Sequence, residues 1–179
     1  MRACVFLDRD GVLNRNVLRD GRQNAPRRLE DYRLLPGVQK AVERLKQAGF
    51  AIVVVTNQPD IGNRAVDPAI ANAMNERLRS KINPDAIEMC PHTRADGCTC
   101  RKPKPGMLLT AAKRLGIDLE RSFMVGDRFT DIGAGQAAGC FSILLGDGYG
   151  EAAVATPDAR AANLPKAVDL ILNMQAKPK

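Results

Sequence analysis

Apolar residues along this chain fall in short continuous runs separated by longer stretches of helical period. The run "ACVFLD" at 3–8 shows no polar alternation, as expected of a strand covered on both faces. "AIVVVT" at 51–56 is β-branched and reads the same way, and "AIEMC" at 86–90 is a shorter candidate. "SFMVGD" at 122–127 and "FSILL" at 141–145 bring the expected strands to five. Between the runs, apolar positions recur every three or four residues. Residues 36–48 put Val38, Ala41, Val42 and Leu45 on one helix face, with Pro36 in the first turn and Gly49 as the stop. Residues 67–82 repeat the pattern with Ile70, Met74, Leu78 and Ile82, and residues 105–115 with Leu108, Leu109, Ala112 and Leu115 ahead of Gly116. Residues 129–138 predict a short helix of small residues ending at Gly139, and 165–175 a last helix before a polar tail. Strands alternating with helices predict a doubly wound parallel α/β sheet. Residues 15–35 and 90–105 break the rhythm and are read as loops or inserts.

Composition narrows the picture. The chain has 179 residues and is 45% hydrophobic, enough for one domain (1–179) with a sizeable core. No apolar run approaches the roughly 18–20 residues of a membrane span, and the N-terminus carries no secretory pattern. A cytoplasmic protein without a membrane partner is the expectation. The net charge of +7 suits an anionic ligand. The basic residues are scattered, apart from short clusters such as Arg27-Arg28 and Arg101-Lys102, aromatics are only 4%, and there is no Trp. That is poor material for stacking bases, so nucleic acid is not the expected partner.

Three of the apolar runs end in polar residues: Asp8, Thr56 and Asp127. In an open parallel sheet the carboxyl ends of the strands share one edge, and ligands bind there. Asp8 and Asp127, brought together, suit a hard cation such as Mg²⁺, which takes carboxylates, phosphate oxygens and water. A carboxylate also serves as a nucleophile toward phosphorus. Asp10 is placed to act as acid and base, Gly11 allows a tight backbone beside it, and Lys102 suits neutralising charge on a transferring group.

Three of the five cysteines, Cys90, Cys98 and Cys100, lie within eleven residues together with His92, the single histidine of the chain. A Cys3His set of this spacing suits a closed structural zinc site, with no open position for a catalytic water. It would hold a polar loop, about 90–105, that has no core of its own, and would place Arg101 and Lys102. Cys4 and Cys140 read as small buried hydrophobes.

In order along the chain, "DRDGVLN", "VVVTNQ", "CRKPKPG" and "VGDRFTDIGAG" resemble the four motifs of the haloacid dehalogenase superfamily of phosphotransferases. The resemblance implies a three-layer Rossmann-like fold, here nearly capless. It implies Asp8 as nucleophile, Asp10 as the acid and then the base, and Thr56 and the Asn57 amide as holders of the phosphoryl oxygens. Lys102 would balance charge at Asp8. Mg²⁺ would be bound by Asp8, the Asp10 carbonyl and Asp127, while Asp131 would buttress the loop. The zinc loop further resembles a subgroup acting on heptose 1,7-bisphosphate or on histidinol phosphate. A bisphosphate suits a basic chain, which makes the heptose 7-phosphate the first expectation and histidinol phosphate the second. Removal of 3′-phosphates from nucleic-acid ends is disfavoured by the weak basic patches. Arg101 and Arg128 are the candidates for the substrate's second charged group. Asn16, Val17, Leu18 and Arg19, with Asn57 and Gln58, are expected to face the substrate. A zinc-stabilised binding module with a degenerate site is the reading of another class, and the presence of both Asp8 and Asp10 speaks against it. The protein is expected to act on a phosphorylated small molecule, as a monomer.

Overall fold

The computed structural model describes residues 1–175; the polar tail at 176–179 lies outside the described residues. The chain runs β1 (Cys4–Leu7), β2 (Val17–Arg19), β3 (Arg22–Asn24), α1 (Val38–Gln47), β4 (Ala51–Asn57), α2 (Pro59–Gly62) and α3 (Pro68–Ile82). It continues with β5 (Ala86–Cys90), α4 (Gly106–Leu115), β6 (Phe123–Gly126), α5 (Phe129–Ala137), β7 (Phe141–Leu145), β8 (Ala159–Ala161) and α6 (Leu164–Gln175). Six strands form one sheet in the order β5-β4-β1-β6-β7-β8, parallel throughout, and β2 and β3 form a separate antiparallel hairpin.

All five strands and five helices read from the apolar pattern are present, within two residues at most ends. Alternation along each strand builds the three layers. Val5, Leu7, Ile52 and Val54 face α1, α3 and α6, while Cys4, Phe6, Val53 and Val55 face α4 and α5. Cys4 and Cys140 are buried among apolar neighbours, as small hydrophobes. The stripe Val38, Ala41, Val42 and Leu45 of α1 is fully buried. Burying an aliphatic side chain of this size contributes about 1.5–3 kcal/mol, and truncating Leu45 to Ala would cost roughly 2–5 kcal/mol. The helix α3 starts at Pro68, where the Asp67 carboxylate accepts the Ala69 amide at 2.8 Å.

The differences from the pattern lie at the edges. The sixth strand, β8, is three residues long and pairs only with β7, through Ile143, Leu144 and Leu145. Residues 15–35, read as a loop, contain the β2–β3 hairpin and a single 3₁₀ turn at Leu29–Asp31. Among the described residues, the stretch between β1 and α1 holds this hairpin and the 3₁₀ turn, and no element the size of a cap domain. The chain leaves β1 toward β4 and β5, then returns to lay β6 on the other side of β1. That reversal puts the carboxyl ends of β4, β1 and β6 side by side, at the place where open α/β sheets bind ligands.

Candidate active site

Asp8 follows β1 directly, and its amide donates to the Val125 carbonyl at 3.0 Å, which ties it to the tip of β6. The Lys102 ammonium reaches it from the loop after Cys100. Lys102 Nζ lies 2.7 Å from Asp8 Oδ1, 2.7 Å from Asp131 Oδ1 and 2.8 Å from the Val55 carbonyl. All three side chains are buried. The Lys102 backbone is held as well. Its amide donates to Asn57 Oδ1 and its carbonyl accepts from Asn57 Nδ2, both at 3.1 Å. Asn57 at the tip of β4 therefore places the lysine through its side chain, beside whatever its own backbone amide does.

Asp127 follows β6. Its Oδ2 accepts from the Tyr149 hydroxyl at 2.7 Å and from Asn16 Nδ2 at 3.2 Å. Its Oδ1 is buried and has no partner among the described residues. Gly11 has φ +87°, and a Cβ there would sit 1.7 Å from Asp127 Oδ2, so only glycine lets the turn after β1 pass this carboxylate. Gly126 has the same duty toward Asp131, whose Cβ stands 2.1 Å from where its own would be. Both Asp131 oxygens are engaged, Oδ1 by Lys102 and Oδ2 by the Arg128 amide at 3.0 Å at the start of α5.

Electrostatics makes this cluster short of positive charge. Oxygens of Asp8, Asp127 and Asp131 lie within 4.8 Å of one another, and one ammonium, Lys102, stands among them. Burial pushes the Asp8 carboxyl well above the usual range; Lys102 pulls it back, and Asp131, Asp127 and Asp10 add like charge. Burial, then Asp131, pushes Asp127 up to about 6. Burial disfavours the Lys102 charge, yet Asp131 and Asp8 hold its pKa well above the ordinary lysine value. A divalent cation beside Asp8 and Asp127 would supply the missing charge and a partner for the orphaned Asp127 oxygen. The donors present therefore fit Mg²⁺.

Asp10 sits one step further into the turn. Asn14 Nδ2 donates to its Oδ1 at 2.9 Å and Gln58 Nε2 to its Oδ2 at 2.6 Å. Thr56, at the end of β4, is buried under this pair and accepts from Gln58 Nε2 at 2.9 Å. Arg9 reaches the same carboxylate from beneath.

Asp8, Asp10, Lys102 and Asp131 line an open cleft of about 1170 Å³. Of the residues expected to meet substrate, Asn16, Leu18, Asn57, Gln58, Arg101 and Arg128 line it. Val17 and Arg19 are not among the residues that line it. In the hairpin, alternation turns Val17 away from Leu18. Arg19 pairs with Asp60 at 3.3 Å, with Arg27 on the same carboxylate, and so ties the hairpin to α2. The Arg128 guanidinium is also occupied. It donates to the Gln23 carbonyl at 2.6 Å, pairs with Glu151 and stacks 5.2 Å from the Tyr149 ring. It joins the hairpin to the 146–151 loop across the cleft mouth.

The four zinc candidates converge. Cys100 Sγ lies 3.1 Å from Cys90 Sγ, 3.5 Å from Cys98 Sγ and 3.3 Å from His92 Nδ1. Cys90 Sγ is 3.7 Å from Cys98 Sγ and 3.6 Å from His92 Nδ1. A tetrahedron with zinc–sulfur bonds of about 2.3 Å has edges of about 3.8 Å, so the donor set fits a closed zinc site. Burial pushes the Cys90 thiol up to about 12, so without a cation it stays protonated at neutral pH. Arg101 donates to the His92 carbonyl, and Lys104 to the Gly97 and Cys98 carbonyls, which closes the loop just where Lys102 leaves it.

The profile of the haloacid dehalogenase-like hydrolases matches residues 13–139. The chain belongs to this family. It is 36% identical over 161 residues to the D-glycero-beta-D-manno-heptose-1,7-bisphosphate 7-phosphatase of Pseudomonas aeruginosa, covering 87% of this chain and 88% of that one. It is 34% identical over 155 residues to the D-glycero-alpha-D-manno-heptose-1,7-bisphosphate 7-phosphatase of Mycobacterium bovis, covering 80% and 79%. Among solved structures, it resembles the D,D-heptose 1,7-bisphosphate phosphatase of B. bronchiseptica complexed with magnesium and phosphate, with a TM-score of 0.84 and 32% identity over 97% of this chain and 99% of that one.

For a haloacid dehalogenase-like hydrolase, the four motifs meet where the fold demands, but several polar partners were not read from the sequence. Tyr149 lies 22 residues beyond Asp127 in a glycine-rich loop, and no periodicity points to it. Asn75 on α3 and Tyr32 enter the site region only through Arg9. Asn14 carried a signal as part of "DRDGVLN", although its contact with Asp10 needed the turn geometry.

Proposed function

We propose that the protein is a Mg²⁺-dependent phosphatase that removes the 7-phosphate of D-glycero-D-manno-heptose 1,7-bisphosphate by way of a phosphorylated Asp8. The observation that carries this reading is the buried Asp8 carboxylate with one oxygen fixed on Lys102, set beside Asp10 and Asp127 at the foot of a cleft lined by basic side chains. The names of the relatives support the sugar.

Lys102 holds Asp8 Oδ1, which leaves the other oxygen to attack phosphorus in line. As the P–O7 bond breaks, Asp10 gives its proton to the sugar oxygen. Asp10, now a carboxylate, takes a proton from water; that water attacks phosphorus, the Asp8–phosphorus bond breaks and inorganic phosphate leaves. The Thr56 hydroxyl and Asn57 amide, at the tip of β4, receive the phosphoryl oxygens. Asp8, Asp127 and the Asp10 carbonyl would hold Mg²⁺, which supplies positive charge against the phosphoryl oxygens and the carboxylates. Arg101, on the lip of the cleft, is the group proposed for the second phosphate. Zinc on Cys90, His92, Cys98 and Cys100 would hold the loop that delivers Arg101 and Lys102.

The test is phosphate release from the α and β anomers of heptose 1,7-bisphosphate beside histidinol phosphate, with wild type and Asp8→Asn. The expected result is preference for a heptose anomer and loss of turnover in Asp8→Asn. Preference for histidinol phosphate would overturn the substrate, and turnover that survives Asp8→Asn would overturn the mechanism.

A further inference from the structure

Arg9 stands between the two motif aspartates, and the mechanism above gives it no task. Its side chain is wholly buried, at 0% exposure. Buried cations are costly unless paired, and a chain that needed only volume here would place a leucine or methionine. The guanidinium is held on two sides. Nη1 donates to Asn75 Oδ1 on α3 at 2.9 Å, and the plane lies 5.9 Å from the Tyr32 ring centroid. Nη2 meets both oxygens of Asp10, Oδ2 at 3.1 Å and Oδ1 at 3.3 Å. This is the one ion pair Asp10 makes among the described residues. Asn14 and Gln58 each donate to a single Asp10 oxygen, whereas Arg9 spans the two.

We infer that Arg9 is a positioning residue that sets the plane of the Asp10 carboxylate for proton transfer to the leaving oxygen. The turn after β1 makes this possible: Asp8 and Asp10 line the cleft, and Arg9 between them is buried in the layer beneath. From there it reaches back to Asp10 while α3 and Tyr32 fix its far side. Arg9 touches neither substrate nor phosphorus in this arrangement and acts only through Asp10.

The inference rests on the phosphatase reading and is tested by leaving-group dependence. A sugar alkoxide needs a proton to leave, whereas p-nitrophenolate leaves without one. Acid catalysis is worth about 10²–10⁴-fold, so poorer positioning should cost a substantial part of that range. Arg9→Met is expected to lower kcat/KM, which reports the step in which the leaving group departs and not the later hydrolysis of phospho-Asp8 that both esters share, by roughly 30-fold or more on heptose 1,7-bisphosphate and by no more than about 3-fold on p-nitrophenyl phosphate. Arg9→Lys should recover part of the loss, because it restores a charge but not the planar group whose Nη1 holds Asn75 while Nη2 holds Asp10. The losses from Arg9→Met and Asp10→Asn should not add. Should Arg9→Met fail to fold, Asn75→Ala, which removes the Nη1 anchor together with a weak contact from the Asn75 amide to Met89 Sδ, carries the same comparison. If the heptose ester is not cleaved, histidinol phosphate serves as the alkyl ester. Equal falls on alkyl and aryl esters, or additive losses, overturn the inference alone. A wild-type protein that cleaves neither ester, or whose turnover survives Asp8→Asn, overturns the phosphatase reading and this inference with it.

Discussion

Lys102→Met separates the electrostatic account of the site from a purely catalytic one, because it predicts a large loss of stability as well as of activity. The ammonium is 2% exposed and contacts Asp8 and Asp131 at 2.7 Å each and the Val55 carbonyl at 2.8 Å. Methionine fills the same volume, so the loss is one of charge and hydrogen bonds rather than packing. Removing one partner of a buried ion pair costs about 3–5 kcal/mol, since the other charge is left without compensation. Here two carboxylates and a carbonyl are stranded, so the upper end, about 5 kcal/mol, is expected. For a chain of this size each kcal/mol moves the melting temperature by about 2–4 °C, which gives a fall of about 10–20 °C. Lys113→Met, on the exposed face of α4, is the control and should stay within about 0.5 kcal/mol of wild type.

The deficit should depend on pH in a defined sense. Asp8 has a folded pKa raised by burial and by its carboxylate neighbours, so its contribution is fully present below the unfolded value and is lost as pH rises through the folded one. Removing Lys102 raises that folded pKa further and extends the loss to higher pH. The gap between variant and wild type should therefore be widest at pH 8 and narrower at pH 5. Urea unfolding at both pH values, without Mg²⁺ and at low ionic strength, measures it. Combining Asp8→Asn with Lys102→Met should recover part of the loss, with a coupling of about 0.5–3 kcal/mol. A Lys102→Met protein within about 1 kcal/mol of wild type at pH 8 would refute the reasoning, since a stranded buried carboxylate pair cannot be that cheap.

Gly11→Ala puts a methyl 1.7 Å from Asp127 Oδ2 at a backbone φ of +87°, so Asp127 must move. The expected result is at least about a 100-fold lower kcat/KM and a higher Mg²⁺ concentration for half-maximal rate, read by titrating Mg²⁺ into a phosphate-release assay. Zinc should be present near one equivalent by elemental analysis of freshly purified protein, and less than about half would contradict the closed Cys3His site. Cys98→Ser should lower both zinc content and turnover, because the loop it closes carries Lys102, four residues on; zinc loss without any change in turnover would show that the loop needs no metal.

The sheet was largely legible because its central strands are buried on both faces. β1, β4 and β6 are continuous apolar runs, and the polar residue that ends each run is where the strand meets the ligand edge. The parts that escaped lack that signal. β8 is Ala-Arg-Ala, too short and too polar to read, and it exists because the Ile143–Leu145 edge of β7 needs a partner for its backbone groups. The β2–β3 hairpin did carry a sign. Asp20 and Gly21 both have positive φ, 52° and 70°, and Asp-Gly is the pair that two-residue hairpin turns favour. β3 is Arg-Gln-Asn and β2 places Val17 and Leu18 on opposite faces, however, so no apolar alternation flagged them.

Within the site, the motifs told which residues meet but not what holds them. An apolar strand specifies the direction of each side chain by its period, so the convergence of Asp8, Thr56 and Asp127 follows from topology alone. The turn after β1 sends Arg9 into the interior, where a guanidinium must find partners, and those partners come from elements more than twenty residues away in either case, Tyr32 and Asn75. Nothing local in "DRDGVLN" indicates them. The Lys102 contacts have the same character. Asn57 was read as a phosphoryl binder through its backbone, while its side chain makes both hydrogen bonds to the Lys102 backbone across 45 residues. The reactive groups are thus marked by strand ends, whereas their supports are marked only by burial. A polar residue inside a helix or loop, such as Asn75, reads as surface until the charge it must satisfy is located.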